Sequence, residues 1–186
     1  PQWLFFIALM YFFFISVPNI FGAFNSQNDF GFAIIMPVSK DEIVKGKILS
    51  LIIIELLHLL IGAIFAFIHL KIYGIDNFML DLNFAFFGIS FMMFAIFNIV
   101  FFPLYFKSAY NFGIPTIAAN VAAILFAAVV ELLVFFNPNF NYFLEGKSPE
   151  MKRLQIFILI GGILIFALFN HITYRISAKR FEKIDL

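Results

Sequence analysis

Glu55 and His58 are the residues of this sequence whose types and spacing could do chemistry. They lie three positions apart within a long apolar run, so they would share one face of a helix. A carboxylate beside an imidazole could act as a general acid and base, or bind a metal ion. An acid at the centre of a membrane helix costs roughly 2.5 to 3.5 kcal/mol, so Glu55 requires a compensating partner.

Several interpretations of this pair compete. Glu-x-x-His is half of a di-iron carboxylate site, which needs a second copy and further glutamates that the sequence lacks, so we predict no metal. A hydrogen bond to another helix, through Asn98 or Asn120, would give the pair a structural role. A polar position on a transport path would give it a functional role, as would the centre of an intramembrane enzyme.

The remaining motifs do not favour an enzyme. Glu131 and His171 fall near the ends of apolar runs, where polar side chains reach interfacial water, and we assign them no catalytic role. Gly146-Lys147-Ser148 copies the end of a phosphate-binding loop, but Asn141 stands where the earlier glycine is required and Pro149 follows. We therefore predict neither nucleotide binding nor catalysis in this chain.

The composition indicates what positions these residues. Hydrophobic residues make up 63% of the 186 residues and charged residues 12%, with a mean hydropathy of +1.02, whereas a soluble domain is about a quarter charged. Apolar runs of roughly 20 residues can each cross about 30 Å of hydrocarbon as a helix. The net charge of +1 gives no reason to expect nucleic acid, and the absence of cysteine excludes disulfides.

The pattern predicts an all-α integral membrane protein, a helical bundle that forms one transmembrane domain over residues 1–186. Residues 137–153 are predicted as a longer polar loop and residues 175–186 as a polar tail. The five predicted spans are about 3–24, 48–70, 84–106, 113–136 and 154–174.

Basic residues near the ends of the spans predict the orientation, because cytoplasmic loops retain more lysine and arginine. One side of the membrane holds eight such residues and the other side holds four. We therefore place the side with eight, which includes the segment 25–47 and the C-terminus, in the cytoplasm. This leaves Pro1 outside, and we expect one earlier span, giving six in the natural protein. The cytoplasmic side holds Lys40, Lys45, Lys47, Lys107, Arg175, Lys179, Arg180 and Lys183. The other side holds Lys71, Lys147, Lys152 and Arg153.

Two local patterns predict helix starts and helix contacts. Ser39 can cap the amides of a new helix while Glu42 reaches back to the amide of Ser39, which is a capping box. Ala119, Ala123 and Ala127 recur every four residues and form a small-residue face that allows close helix approach. That face would pack within one subunit or between two subunits.

The stretch Met36-Pro37-Val38-Ser39-Lys40-Asp41-Glu42-Ile43-Val44-Lys45-Gly46-Lys47 resembles the segment that follows the second span in small bacterial ABC-2-type permeases. The order of the spans and the basic C-terminal tail are also similar to that family. In these respects the sequence is also similar to small permeases of Gram-positive peptide-toxin exporters.

The resemblance implies a permease that works with a separate ABC ATPase dimer, which would bind ATP and Mg²⁺, and with a second permease copy, as a homodimer or a heterodimer. It also implies a short interfacial coupling helix at about 29–36, unless this segment only anchors the loop among lipid headgroups. The residues implied in coupling are Asp29, Phe30, Phe32, Ile35, Met36, Pro37, Ser39 and Glu42.

The function expected from this resemblance is ATP-driven export across a bacterial plasma membrane. The substrate would be hydrophobic or amphipathic, a peptide or a lipid-like compound, because the spans offer few fixed charges for a polar ion. The alternatives are an intramembrane enzyme centred on Glu55 and His58, and an ATP-independent carrier or immunity protein.

Overall fold

Helices account for all regular secondary structure in the described residues of the computed structural model. It describes residues 15–22, 37–73, 83–108 and 111–184, apart from the side chains of residues 66, 69, 70 and 73. Residues 15–22 are helical and are named α1. The other helices are α2 (Lys40–Tyr73), α3 (Phe84–Lys107), α4 (Gly113–Phe136), α5 (Pro138–Glu145) and α6 (Pro149–Glu182).

Four of the described helices, α2, α3, α4 and α6, are long and apolar enough to cross a membrane. This confirms the predicted all-α membrane fold class. Residues 84–106 and 113–136, predicted as spans, coincide with α3 and α4 to within one residue. Of the predicted first span, 3–24, only residues 15–22 belong to the described part, and they are helical.

Side-chain caps determine where several helices begin. The capping box before α2 is present: the backbone N of Ser39 donates to Glu42 Oε2 at 2.8 Å, and the backbone N of Glu42 donates to Ser39 Oγ at 3.3 Å. Asn83 caps α3 by accepting from the amide of Phe86, and Ser148 caps α6 by accepting from the amide of Met151.

The segment 137–153 is not the polar loop predicted from the sequence. It contains α5, because the side chain of Asn137 accepts from two amides of the first turn and Pro138 occupies the first helical position. Likewise α6 continues eight residues past the predicted end of its span at residue 174. Its last turns remain helical because Ser177 and Phe181 are buried against the rest of the bundle.

The helix α3 lies at the centre of the bundle. In its 18-residue apolar stretch about 61% is buried inside the protein, whereas the corresponding share in the other three long helices is 22 to 28%. It packs most extensively on α6 and next on α4, and α2 packs mainly on α6. The small-residue face of Ala119, Ala123 and Ala127 is buried within this single chain. Of the two alternatives given for this face, the burial corresponds to packing within one subunit.

Gly88 of α3 and Gly162 of α6 allow the two backbones to touch. A Cβ placed on Gly88 would lie 2.5 Å from the carbonyl oxygen of Ile158, and one placed on Gly162 would overlap the carbonyl oxygen of Gly88. Only a residue without a side chain fits at either position. Further along the pair, Asn98 meets Asn170 and Phe106 meets Phe181, so α3 and α6 run parallel.

Stacked and edge-on rings fill the end of the bundle where α3 and α6 finish. Phe21 of α1 lies with its ring centroid 5.1 Å from that of Phe101 and 5.3 Å from that of Tyr105. These contacts fix the described part of α1 against α3. The fully buried rings of this cluster are Phe21, Phe97, Phe101, Phe102, Tyr105, Phe106 and Phe181.

Candidate functional site

Three polar side chains from three helices meet in the interior of the bundle. Glu55 of α2 and Asn98 of α3 are fully buried, and Asn170 of α6 is 7% exposed. The side-chain nitrogen of Asn98 donates to Glu55 Oε2 at 3.0 Å and to Asn170 Oδ1 at 3.0 Å. Asn170 in turn donates to the carbonyl of Phe166 on its own helix at 2.9 Å. We call Glu55, Asn98 and Asn170 the polar triad.

The polar triad joins the three helices through one amide group. Both hydrogens of the Asn98 amide are used, so a single side chain holds α2 and α6 to α3. Among the described residues, Glu55 Oε1 and Asn98 Oδ1 have no hydrogen-bond partner. The triad is therefore partly satisfied, and removing its central donor would leave a buried carboxyl group and a buried amide oxygen without donors.

The other polar residues that the sequence suggested for this site do not take part in the two hydrogen bonds that join the polar triad. Asn120 donates to the carbonyl of Thr116 on its own helix and does not reach Glu55. His58 is partly exposed, and the bonds of the polar triad do not include it. No cluster of three or more histidine, cysteine, aspartate or glutamate residues that could hold a metal ion occurs in the described part of the chain.

A second set of contacts fastens the start of α2 to the ends of α3 and α6. The hydroxyl of Tyr174 lies 2.8 and 2.7 Å from the two carboxylate oxygens of Asp41. Lys40 Nζ donates to the carbonyl of Ile184 at 2.7 Å, and Arg180 Nη1 donates to the carbonyl of Pro103 at 2.9 Å. We call these contacts the polar clamp.

We expect Tyr174→Phe to loosen the clamp without unfolding the protein. The substitution removes the donor to Asp41 and keeps the ring, so amide hydrogen exchange should accelerate in the first turns of α2. Tyr142→Phe, at an exposed tyrosine of α5, is the matched control and should exchange like the unmodified protein. Equal exchange in the Tyr174 and Tyr142 variants would show that the hydroxyl contact does not hold α2.

Comparison with known protein families shows which family this chain belongs to. The model of the family described as ABC-2 family transporter protein matches residues 1–182. The chain belongs to this family. No curated protein and no solved structure matches the chain.

The family identifies the chain as a permease component of an ABC transporter, a multi-pass membrane protein rather than an enzyme. This confirms the resemblance read from residues 36–47. The narrower likeness to peptide-toxin exporters stays a prediction. Membership also implies association with an ABC ATPase.

The predicted coupling residues of the permease lie at the edge of the described region. Pro37 is exposed, and Ser39 and Glu42 form the cap from which α2 begins. Only these three can therefore be placed, directly before the polar clamp. The others, Asp29, Phe30, Phe32, Ile35 and Met36, lie outside the described residues.

The opposite end of the permease is held by side chains bonded to backbone carbonyls. Gln155 of α6 donates to the carbonyl of Leu144 at 3.1 Å and to that of Gly146 at 3.0 Å, and Asn83 also donates to Leu144. Gly146 to Ser148, which copy the end of a phosphate-binding loop, thus connect α5 to α6, with Ser148 as the cap.

Sequence reasoning missed Asn170, the Asp41 to Tyr174 contact and the role of Gln155. Asn170 carried a usable signal, since it is a polar residue within an apolar run and so needs a partner. Asp41 and Tyr174 are 133 positions apart, and only the packing of α2 on α6 brings them together.

Proposed function

We propose that this permease exports a hydrophobic or amphipathic substrate, a peptide or a lipid-like molecule, with ATP hydrolysed by a separate subunit. ATP and Mg²⁺ bind to that subunit, and two permease copies, identical or different, enclose the substrate path. The polar end that carries the clamp faces the cytoplasm of a bacterial cell. The apolar surfaces of the spans support the choice of substrate, because they offer few fixed charges to a polar ion.

The polar clamp is the observation that carries this proposal. The predicted coupling helix ends at Met36, and α2 begins four residues later with Lys40, at its capping box. The first two residues of α2, Lys40 and Asp41, are bonded to Ile184, just past the end of α6, and to Tyr174 of α6. The helix α6 is in turn bonded to α3 through Arg180. A push on the coupling segment would therefore move three helices together, as rigid-body coupling requires.

The polar triad favours a structural role for Glu55 over the intramembrane enzyme. The carboxyl group of Glu55 is buried between helices and accepts a hydrogen bond from Asn98. A polar group that joins helices in lipid contributes to packing, and this is sufficient to explain an acid at this depth.

Affinity purification of the full-length tagged permease from its native membrane tests the partnership with an ATPase. We expect an ABC ATPase at stoichiometric amounts, and we expect Phe32→Asp and Ile35→Asp each to remove it by placing a charge in the predicted coupling helix. The matched control is Phe140→Asp, at an exposed ring of α5 at the other end of the bundle. The companion should remain with this variant.

Two outcomes would contradict the proposal. The absence of any ATPase from the unmodified permease under several mild detergents would contradict the ATP-driven function. Equal loss of the ATPase in the Phe140 control would contradict the assignment of the coupling segment, because the effect would then be general destabilisation.

A further inference from the structure

A groove of about 360 Å³ opens between α2 and α6, beside the polar clamp. The side that α2 contributes consists of Lys45, Ile48, Leu49 and Ile52. These residues share one face of α2, at spacings of three, four and seven positions. The side that α6 contributes consists of Asn170, His171 and Tyr174.

The lining of the groove changes from polar to apolar along α2. Lys45 is exposed in the polar first turns of α2. In the next turns Leu49 is exposed and Ile52 is partly exposed, and Ile48, which is buried, forms the floor of the groove. A cation followed by a strip of apolar surface matches a molecule with an anionic head and a hydrocarbon chain. Within the part of the chain that the structure describes, no residue that lines this groove is a carboxylate.

The two carboxylates in the first turn of α2 accept hydrogen bonds from other groups. Asp41 accepts from Tyr174 through both oxygens, and Glu42 accepts from the backbone amide and the hydroxyl of Ser39. Glu42 attracts Lys45 from three positions away, but its bonded oxygen is held towards the cap. The ammonium group of Lys45 is therefore the charge that the groove presents to a ligand.

We propose that this groove binds an anionic phospholipid of the adjoining leaflet, with its phosphate at Lys45 and its upper acyl chain along Ile48, Leu49 and Ile52. The groove takes the headgroup phosphate and the first methylenes, and the rest of the lipid stays in the bilayer. Leu49 is 52% exposed, so the groove is open towards the lipid phase. The orientation proposed above makes this the cytoplasmic leaflet, whereas binding itself does not depend on that orientation.

A lipid in this groove would contact both sets of polar bonds. Asn170 belongs to the polar triad and Tyr174 to the polar clamp, and both line the groove. Because α2 and α6 form its two sides, a bound lipid would hold these helices together at the end that receives the coupling segment. The groove is thus a position where membrane composition could tune the permease.

Native mass spectrometry of the full-length permease in mild detergent tests this site. With phosphatidylglycerol and phosphatidylcholine titrated in turn, we expect one phosphatidylglycerol to bind more tightly than phosphatidylcholine. Lys45→Gln should weaken that binding about fivefold, the effect of one lysine at an anionic surface, and Lys45→Arg should preserve it. Lys179→Gln, which removes an exposed charge from the last turn of α6, should bind like the unmodified permease.

A photoreactive phosphatidylglycerol adds the location of the site. Cross-links should fall on the peptide that contains residues 45–52 and should diminish in Lys45→Gln. Equal binding of the two lipids, equal loss in the Lys45 and Lys179 variants, or cross-links confined to other helices would each overturn the proposal. Displacement of the lipid by inorganic phosphate at equal concentration would also overturn it, because the site would then recognise the free anion. None of these outcomes bears on whether an ATPase copurifies.

Discussion

Gly162→Ala is expected to lower the free energy of unfolding of the permease by about 3 kcal/mol, near the upper end of the usual cost of overpacking. The added methyl group would overlap the carbonyl oxygen of Gly88, which is a backbone atom and cannot rotate away as a side chain does. Relief would require the backbones of α3 and α6 to move apart at this contact. Gly88→Ala should behave similarly, since its methyl group would press on the backbone of Ile158.

The adjacent glycine provides the matched control for this prediction. A Cβ on Gly161 would meet no atom within 4 Å, so Gly161→Ala should leave stability unchanged or raise it slightly through better helix propensity. Thermal unfolding of the detergent-purified proteins, followed by the loss of the monodisperse peak, measures the difference. Similar midpoints for the Gly161 and Gly162 variants would show that the two helices can separate without cost.

Asn98→Leu is expected to destabilise the permease by about 2 kcal/mol. Hydrogen bonds between membrane helices contribute about 0.6 kcal/mol on average and up to about 1.7 kcal/mol, and Asn98 makes two of them. The substitution also leaves Glu55 and Asn170 buried without their donor, which adds a desolvation cost. Glu55→Gln should cost less, because its amide oxygen can still accept from Asn98.

A double-mutant cycle separates the bond from general effects of packing. Asn98→Leu combined with Glu55→Leu should be less destabilised than the sum of the two single variants, because no buried carboxyl group is then left unpaired. Asn120→Leu is the control, since Asn120 bonds only to Thr116 of its own helix among the described contacts. Additive effects of Asn98 and Glu55 on the unfolding midpoint would contradict the assigned bond.

The apolar spans could be predicted from the sequence because lipid imposes a simple rule of length and polarity. The helices α3 and α4 match their predicted ranges, since polar residues bound each apolar run on both sides. The short helix α5 was missed because its mixture of aromatic and polar residues was interpreted as a loop. Its start had a usable signal in Asn137 followed by Pro138, a cap and a first-turn proline.

The candidate site could be predicted only in part. A buried acid needs a partner, and this led from Glu55 to two candidate asparagines, of which Asn98 is the bonded one. The choice between them depends on which helix packs against α2 at Glu55. The addition of Asn170 depends on how α6 packs on α3, where Gly88 and Gly162 bring the two backbones into contact. Contacts of this kind between distant segments have no local pattern in the sequence.

The length of α6 gives the permease a lever that extends beyond the lipid. Its 34 residues make a rod about 51 Å long, whereas the hydrocarbon layer is about 30 Å thick. Residues 175–182, which follow the predicted end of the span, account for about 12 Å of this length on the clamp side. Because Arg180 bonds this end of α6 to α3 and Phe181 packs on Phe106, a sideways force on it would tilt α3 and α6 as one stiff body.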